Sequence, residues 1–413
     1  MTLMQLNLTN MDMEEVLKEV TYLVGNDEIV ASLNETCPKH PFDDSVVDFL
    51  DALSKTLMKS REAKAYPDVI TLGFWMRKSS VLALKERFED ESSDIIKIGR
   101  GVAFHIAPSN VPVNYAYSLL TGLLTGNANV VRIPSKDFPQ VSIINRAINE
   151  VLEEYLDMKK YICLVRYGRD QRVNDLFSSL ADTRIIWGGD NTIAEIRKSP
   201  LGPRAGEIAF ADRYSLAVID SEKYLTVSDK ERLAEEFYND TYLSDQNACT
   251  SPRLVVWMGE KKKEAKELFW KFEHDLVKRK YQFQPIMGIN KLTSSYLVAA
   301  AKEGTHIEKH EDNYIVRVNV PEVRPELMEL KDNSGFFFEF DCDDILEIRD
   351  FCNNTHCQTI GFLGEKKAIM PLLVSGIKGV DRVVSIGKTM DFDFIWDGYN
   401  LVERLTRTIK VNI

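Results

Sequence analysis

Several things are scarce in this 413-residue sequence, and each scarcity excludes a class of protein. No run of about 18 apolar residues occurs, so no segment reads as a membrane-crossing helix. Cysteine is sparse, with six at positions 37, 163, 249, 342, 352 and 357. Their spacing is not that of a disulfide scaffold, so a reduced, cytoplasmic setting is expected. Positive charge is in deficit, 52 Lys and Arg against 63 Asp and Glu, for a net charge of -11. A nucleic-acid partner needs the opposite balance, in clusters. Met1 to Glu14 lacks the basic start and apolar core of a secretory signal. Cys352, His356 and Cys357 lie close together, but no second paired set accompanies them, and no metal site is expected. Internal repeats, low-complexity tracts and long linkers are absent as well.

What remains is the composition of an ordinary globular enzyme, 44% apolar and 28% charged. The length exceeds what one hydrophobic core usually serves, so two domains are expected. Residues 1–90 read as helices: Met13 to Leu23, Val46 to Leu57 and Val81 to Phe88 carry apolar residues at helical spacing. The chain is organised around residues 101–139. Val102 to Ile106 alternates as a buried strand, and Pro108-Ser109-Asn110-Val111-Pro112 breaks it. Tyr115 to Leu124 is helical in spacing and ends at Gly126-Asn127, a C-cap, before the strand Val130-Val131-Arg132. Strand, crossover helix and strand make a βαβ unit and hence a parallel sheet. Ligands in such sheets sit beyond the carboxyl ends of the strands. That draws attention to Ser109 and Asn110, and to Ser135 and Lys136 after the next strand. An Asn bracketed by prolines is a neutral donor fixed in place, suited to an oxyanion; the alternative is a turn whose Asn satisfies backbone. Gly188-Gly189 closes the strand Thr183 to Trp187 and opens a helix, which permits a phosphate close to backbone N–H groups, or is a plain turn. Gly99-Arg100-Gly101 lacks the third glycine of a dinucleotide fingerprint and precedes a strand, so it reads as a turn.

These segments, in this order, resemble the cofactor domain of the aldehyde dehydrogenase superfamily. The family's "Pro-Trp-Asn-Phe-Pro", "Gly-Asn" and "Lys-Pro-Ser-Glu" stand here as residues 108–112, 126–127 and 133–136. Val380-Asp381-Arg382-Val383-Val384 and the stretch Asp391 to Tyr399 are similar to the acyl-CoA reductase branch, which includes the fatty-acyl reductases of bacterial luminescence. The resemblance covers roughly residues 95–413. It implies two doubly wound Rossmann-type α/β domains with a hairpin and edge-strand oligomerisation arm. The expected division is residues 1–214, helices plus dinucleotide-binding domain with the arm near 87–101; 215–396, the catalytic domain; and 397–413, a tail. The terminal stretch Leu405 to Ile413 alternates enough for an edge strand able to pair across a subunit interface, so a homo-oligomer is expected.

The resemblance also assigns roles. Cys249, in a polar loop before a buried strand, matches the family's nucleophile, although Gln246 is one residue farther from it than usual. Asn110 becomes the oxyanion donor. Gly188 and Gly189 are carried over as cofactor residues, with Ser109 beside them, and Asp332 in Asp332-Asn333-Ser334-Gly335-Phe336 as a nicotinamide-ribose ligand. Many family members place a carboxylate where this chain has Lys136. With Ser135 and Arg132, that lysine favours NADPH, since a carboxylate there would repel a 2′-phosphate; NADH is the alternative. The family's general-base glutamate falls on Phe210, which cannot activate water. The expected activity is therefore NADPH-dependent reduction of an acyl-CoA or acyl-protein thioester to an aldehyde, with an acyl-protein synthetase as a candidate partner. The rivals are a short-chain CoA-acylating aldehyde dehydrogenase using NADH, and a non-catalytic docking subunit.

Overall fold

Alternating β-branched and aliphatic runs separated by helices of ten to fifteen residues leave a chain few options other than parallel sheets covered on both faces. The computed structural model describes residues 10–88, 94–309 and 312–413, with side chains from residue 13 onward. It divides into two units, one of described residues up to Ala211 together with Tyr399–Ile413, the other Asp212–Gly398.

The first unit holds β1 (Thr21–Val24), β2 (Ile95–Gly99), β3 (Val102–Ile106), β4 (Ala128–Arg132), β5 (Ile162–Arg166), β6 (Thr183–Trp187) and β7 (Gly206–Phe210). Its main sheet runs β1-β5-β4-β3-β6-β7. Neighbours from β5 to β7 pair in parallel, and β1 is antiparallel to β5. Every residue of β3 and β6 is buried, as helices on both faces require. The chain turns one way from β3 to β4 and β5, then returns to β3's other flank with β6 and β7. The loops after β3 and β6 therefore diverge, which is the switch point of a doubly wound sheet. Gly126, at φ 84, ends the helix Asn114–Leu124; a Cβ there would stand 2.0 Å from the Lys39 carbonyl oxygen.

One expectation is corrected here. The helical reading of Met13 to Leu23 fails beyond Leu17, because Thr21-Tyr22-Leu23-Val24 forms the edge strand β1. β-Branched and aromatic residues suit a pleated edge, and Gly25 at φ 88 then turns the chain into a helix capped by Asn26. Part of the expected hairpin arm, residues 89–93, lies outside the described residues. β2 pairs antiparallel with Thr406–Lys410. Asn127 Nδ2, donating to the Leu405 carbonyl at 3.0 Å, pins the start of that strand.

Under the crest of this sheet lies a buried polar network. His105 Nε2 faces Asn129 Oδ1 at 3.0 Å, and its Nδ1 faces Ser118 Oγ at 2.7 Å. Asn129 Nδ2 donates to the Asn127 and Tyr161 carbonyls, which leaves Oδ1 as the acceptor and places the imidazole proton on Nε2. Ser118 Oγ in turn accepts from Trp187 Nε1 at 3.0 Å. The network joins β3, β4, β6 and the first crossover helix with a neutral ring, and burial pushes His105 down to about 4.

The second unit holds β8 (Tyr214–Asp220), β9 (Pro252–Met258), β10 (His306–Ile307), β11 (Val316–Asn319), β12 (Phe336–Asp341), β13 (Cys357–Leu363) and β14 (Arg382–Ser385). The order is β10-β11-β12-β9-β8-β13-β14, parallel except for β10. Alternate residues feed two cores. Leu216, Val218, Leu254 and Val256 face one side, while Ala217, Ile219, Val255 and Trp257 face the other. One carboxylate, Glu339 of β12, is buried in this sheet and fully engaged. It accepts from Trp257 Nε1 (2.9 Å), Trp270 Nε1 (2.7 Å) and Arg317 (3.1 Å). Among the described residues no helix is long and apolar enough to cross a membrane.

His105 makes stability depend on pH in a set direction. Its folded value lies below its unfolded value, so the unfolded chain binds the extra proton, and stability falls as pH drops from about 6.5 toward about 4. By pH 5 the loss should be about 2 kcal/mol. Urea midpoints of wild type and His105→Gln, compared between neutral pH and pH 5, should show the acid loss shrinking in the variant.

Candidate active site

Residues with chemistry gather at opposite edges of the two sheets. In the first unit they occupy the carboxyl ends of adjacent strands. Ser109 and Asn110 are exposed in the loop between β3 and the helix Asn114–Leu124. Gly188 and Gly189 follow β6, β3's neighbour. The Gly188 N–H donates to the Phe210 carbonyl at 3.1 Å, continuing the ladder, and Gly189 is the N-cap of the helix Asp190–Ile196. A Cβ on Gly189 would meet nothing within 4 Å, so none of the described residues crowds that approach.

On β3's other side, Ser135 and Lys136 are exposed beyond β4, with the Lys136 ammonium 4.8 Å above the Phe138 ring. Arg132 behaves differently. Its guanidinium donates to the Tyr167 and Gly168 carbonyls (3.4 and 3.1 Å) and lies over the Tyr167 ring, so it is tied to the loop after β5. Phe210 ends β7 with its ring stacked on Trp187, centroids 3.8 Å apart. The nearby Glu207 is committed elsewhere. Burial opposes its charge, but Arg197 and Arg184 at 2.7 and 2.6 Å hold its carboxyl below the usual range.

In the second unit the loops lie at the amino ends of the parallel strands. Cys249 precedes β9, in a segment where Asp245 and Gln246 both adopt left-handed backbone (φ 53 and 55). Such conformations cost energy for non-glycine residues and persist only when their surroundings enforce them. Gln246 supplies the enforcement. Its Oε1 accepts from the Gly335 and Phe336 N–H groups (2.7 and 3.1 Å), and its Nε2 donates to the Pro252 and Phe336 carbonyls (3.1 and 3.3 Å). Arg253 adds bonds to the Gln246 carbonyl, the Asp332 carbonyl (2.8 Å) and Asn333 Oδ1 (2.5 Å). The loop carrying Asp332 is thereby fastened to the loop carrying Cys249. The Asp332 carboxylate itself accepts from Ser294 Oγ (2.8 Å) and the Asn333 N–H (2.7 Å). Lys291, fully buried, supports the same loop by donating to the Ser334 and Tyr314 carbonyls (2.6 and 2.9 Å); burial pushes it down to about 7.

The Cys249 carbonyl accepts from Ser215 Oγ at 2.8 Å, and the residue as a whole is half-buried. Burial and the neighbouring Asp397 push the thiol up to about 12, against the opposing influence of Gln358 and Arg213. Arg213 bonds Asp381, lies 3.4 Å from Asp397, and donates to the Thr355 and Cys357 carbonyls. Sequence reasoning assigned no role to Arg213, Lys291, Gln358 or Asp397. A cue existed only for Asp397, which lies in the Asp391 to Tyr399 stretch.

With its thiol protonated at neutral pH, Cys249 should react slowly in the ligand-free protein. Peptide mapping after brief iodoacetamide treatment at neutral pH should find the exposed Cys37 modified first, and Cys249 more than about tenfold slower.

A family model described as acyl-CoA reductase (LuxC) matches residues 79–286. The long-chain acyl-protein thioester reductase of Aliivibrio fischeri is 26% identical over 163 residues, 39% of this chain and 33% of that protein. The enzyme of that name from Photorhabdus luminescens is 23% identical over 338 residues, 79% of this chain and 67% of its own length. The chain thus spans about a third of the first relative's length. Aldehyde dehydrogenase 21 from Physcomitrella patens superposes with a TM-score of 0.63 at 10% identity, covering 97% of this chain and 90% of that one. That likeness is one of fold.

Proposed function

The chain belongs to the acyl-CoA reductase (LuxC) family, and on that premise we propose that it reduces a fatty acyl thioester, carried on CoA or on a protein, to the aldehyde through an acyl group held by Cys249. The carrying observation is the Cys249 loop, whose path ahead of β9 is fixed by the side chains of Gln246 and Ser215.

In the proposed reaction the Cys249 sulfur adds to the acyl carbonyl carbon, and the carbonyl oxygen takes the negative charge. The Cys249 backbone N–H and the Asn110 amide are the donors for that oxygen, fixed dipoles that need no reorganisation as charge develops. Collapse expels the thiolate of the donor and leaves the acyl group on Cys249. Phe210 cannot take a proton from water, which protects this thioester from hydrolysis.

A reduced nicotinamide dinucleotide supplies the hydride. The divergent loops after β3 and β6, and the uncrowded approach at Gly189, fit such a group. Ser109, Gly188, Gly189, Ser135 and Lys136 would hold it, with Asp332 at the nicotinamide ribose. Lys136 and Arg132, at the end of β4, are the cations that would meet a 2′-phosphate, and NADPH is favoured over NADH. The names of the curated relatives support an acyl-protein donor, and an acyl-protein synthetase and further copies of the chain are the proposed partners. A docking subunit without catalysis would have no use for Cys249 and Asn110 together.

Intact-mass measurement after incubation with acyl-CoAs of graded length should show one acyl adduct, on Cys249, and none on Cys249→Ala. Aldehyde formation at the wild-type rate by that variant would exclude the nucleophile. Asn110→Ala should lower aldehyde formation roughly 10²–10³-fold. For Lys136→Glu the ratio of NADPH to NADH rates should fall by about tenfold or more; an unchanged ratio would remove the charge argument.

A further inference from the structure

In the second unit, the helix Pro285–Ala301 carries one charged residue among its 17, and that residue is on its inner side. Lys291 is fully buried, donating to the Tyr314 and Ser334 carbonyls. Gly288, Ser295 and Val298 complete the buried side, and the helix packs on β10 and β11. Ser294 Oγ, bonded to the Asp332 carboxylate, adds a further anchor. The outer side is the reverse of an ordinary surface helix. Ile286, Ile289, Tyr296 and Leu297 are 55, 60, 65 and 55% exposed, with Asn290, Thr293 and Ala300 exposed among them. The preceding helix, Lys262–Lys280, turns Lys263, Glu264, Glu267 and Lys271 to solvent instead.

Positions 286, 289, 293, 296 and 300 advance by alternate steps of three and four. That is the spacing of the seam between two paired helices, here on the outside of the protein.

We propose that this face is an interface between two copies of the chain, in which two Pro285–Ala301 helices pack antiparallel about a two-fold axis at Thr293. The interface depends on none of the chemistry proposed above, and it is a different surface from the terminal strand.

The order of residues selects a second copy as the occupant. A two-fold contact requires a patch complementary to itself. Antiparallel pairing about Thr293 sets Ile289 against the partner's Leu297 and Asn290 against the partner's Tyr296, an apolar pair and a pair able to hydrogen-bond. Ile286 meets the partner's Ala300, large against small, which lets the helices approach closely. The two helix dipoles then run head to tail.

Charge argues the same way. Each copy carries a net charge of -11, so two copies repel except where a patch is uncharged. A charged partner protein would find no counter-charge on this face. A helix lying on a lipid surface exposes Lys and Arg beside its apolar side, and this helix exposes neither. The extent is adequate as well. The four large side chains expose about 500 Å² together, and with Pro285, Asn290, Thr293, Ala300 and Ala301 the face offers about 700 Å², near the ~800 Å² per partner of a standard interface.

The test places a thiol on the axis of the full-length chain. A Cys37→Ser background removes the exposed native cysteine. In it, Thr293→Cys should form a disulfide-linked dimer under mild oxidation, because only a residue on a two-fold axis meets its own copy. The held pair has a high effective concentration at micromolar protein. Cross-linking should therefore run more than about tenfold faster than for Lys271→Cys, an exposed position on the preceding helix. Ile289→Glu, added to Thr293→Cys, should return cross-linking to the control rate. Alone, in samples whose circular dichroism matches wild type, it should halve the mass found by light scattering. Cross-linking of Thr293→Cys no faster than the control would overturn the interface, as would an unchanged mass for Ile289→Glu.

Discussion

The arrangement of the second unit depends on one neutral side chain. A glutamine amide offers two acceptor and two donor positions, and Gln246 has all four matched to backbone groups of β9 and β12. Because the residue is fully buried, losing any one of these bonds would leave a desolvated polar group behind. That cost holds two consecutive non-glycine residues in left-handed backbone and fixes the path of the chain to Cys249. It also couples the Cys249 loop to Asp332 and Ser334, since Arg253 and Lys291 grip the same turn from two sides.

Strand order explains why groups distant in sequence come together at one edge of the sheet. Cys249 precedes β9, Arg213 precedes β8, Gln358 starts β13 and Asp381 precedes β14. These four strands are consecutive in the sheet. Parallel strands in register bring their amino ends to one edge, so residues separated by up to 168 positions, as Arg213 and Asp381 are, become ion-paired neighbours. The chemistry of the first unit lies instead at the carboxyl edge of its sheet, where the switch point opens a crevice. Within that unit the buried network is neutral and satisfied, with His105, Ser118, Asn129 and Trp187 joined in one chain of hydrogen bonds, and the charged Lys136 is left at the surface.

Much of this was readable from residues alone. The run from Val102 to Arg132 yields its strand, helix and strand at the observed places, because alternation, helical spacing and a glycine cap act locally. Thr21 to Val24 was not readable, since a short apolar run is decided by the neighbour it finds, here the flank of β5. The terminal strand shows the same limit. Its alternation marks it as a strand, but nothing in the sequence says that β2 of the same chain is its partner.

The sequence by itself determined the parallel α/β character and the loops that carry Asn110, Lys136, Gly188 and Cys249, which follow from residue identity and local spacing. Only the tertiary structure decided that Arg132 is engaged with the Tyr167 loop, that Arg213 meets Asp381, and that Gln358 meets Asp397. The reason is physical: side-chain charge and hydrogen bonding act through space over a few ångströms, and sheet order, which brings remote segments that close, depends on many weak contacts distributed along the whole chain.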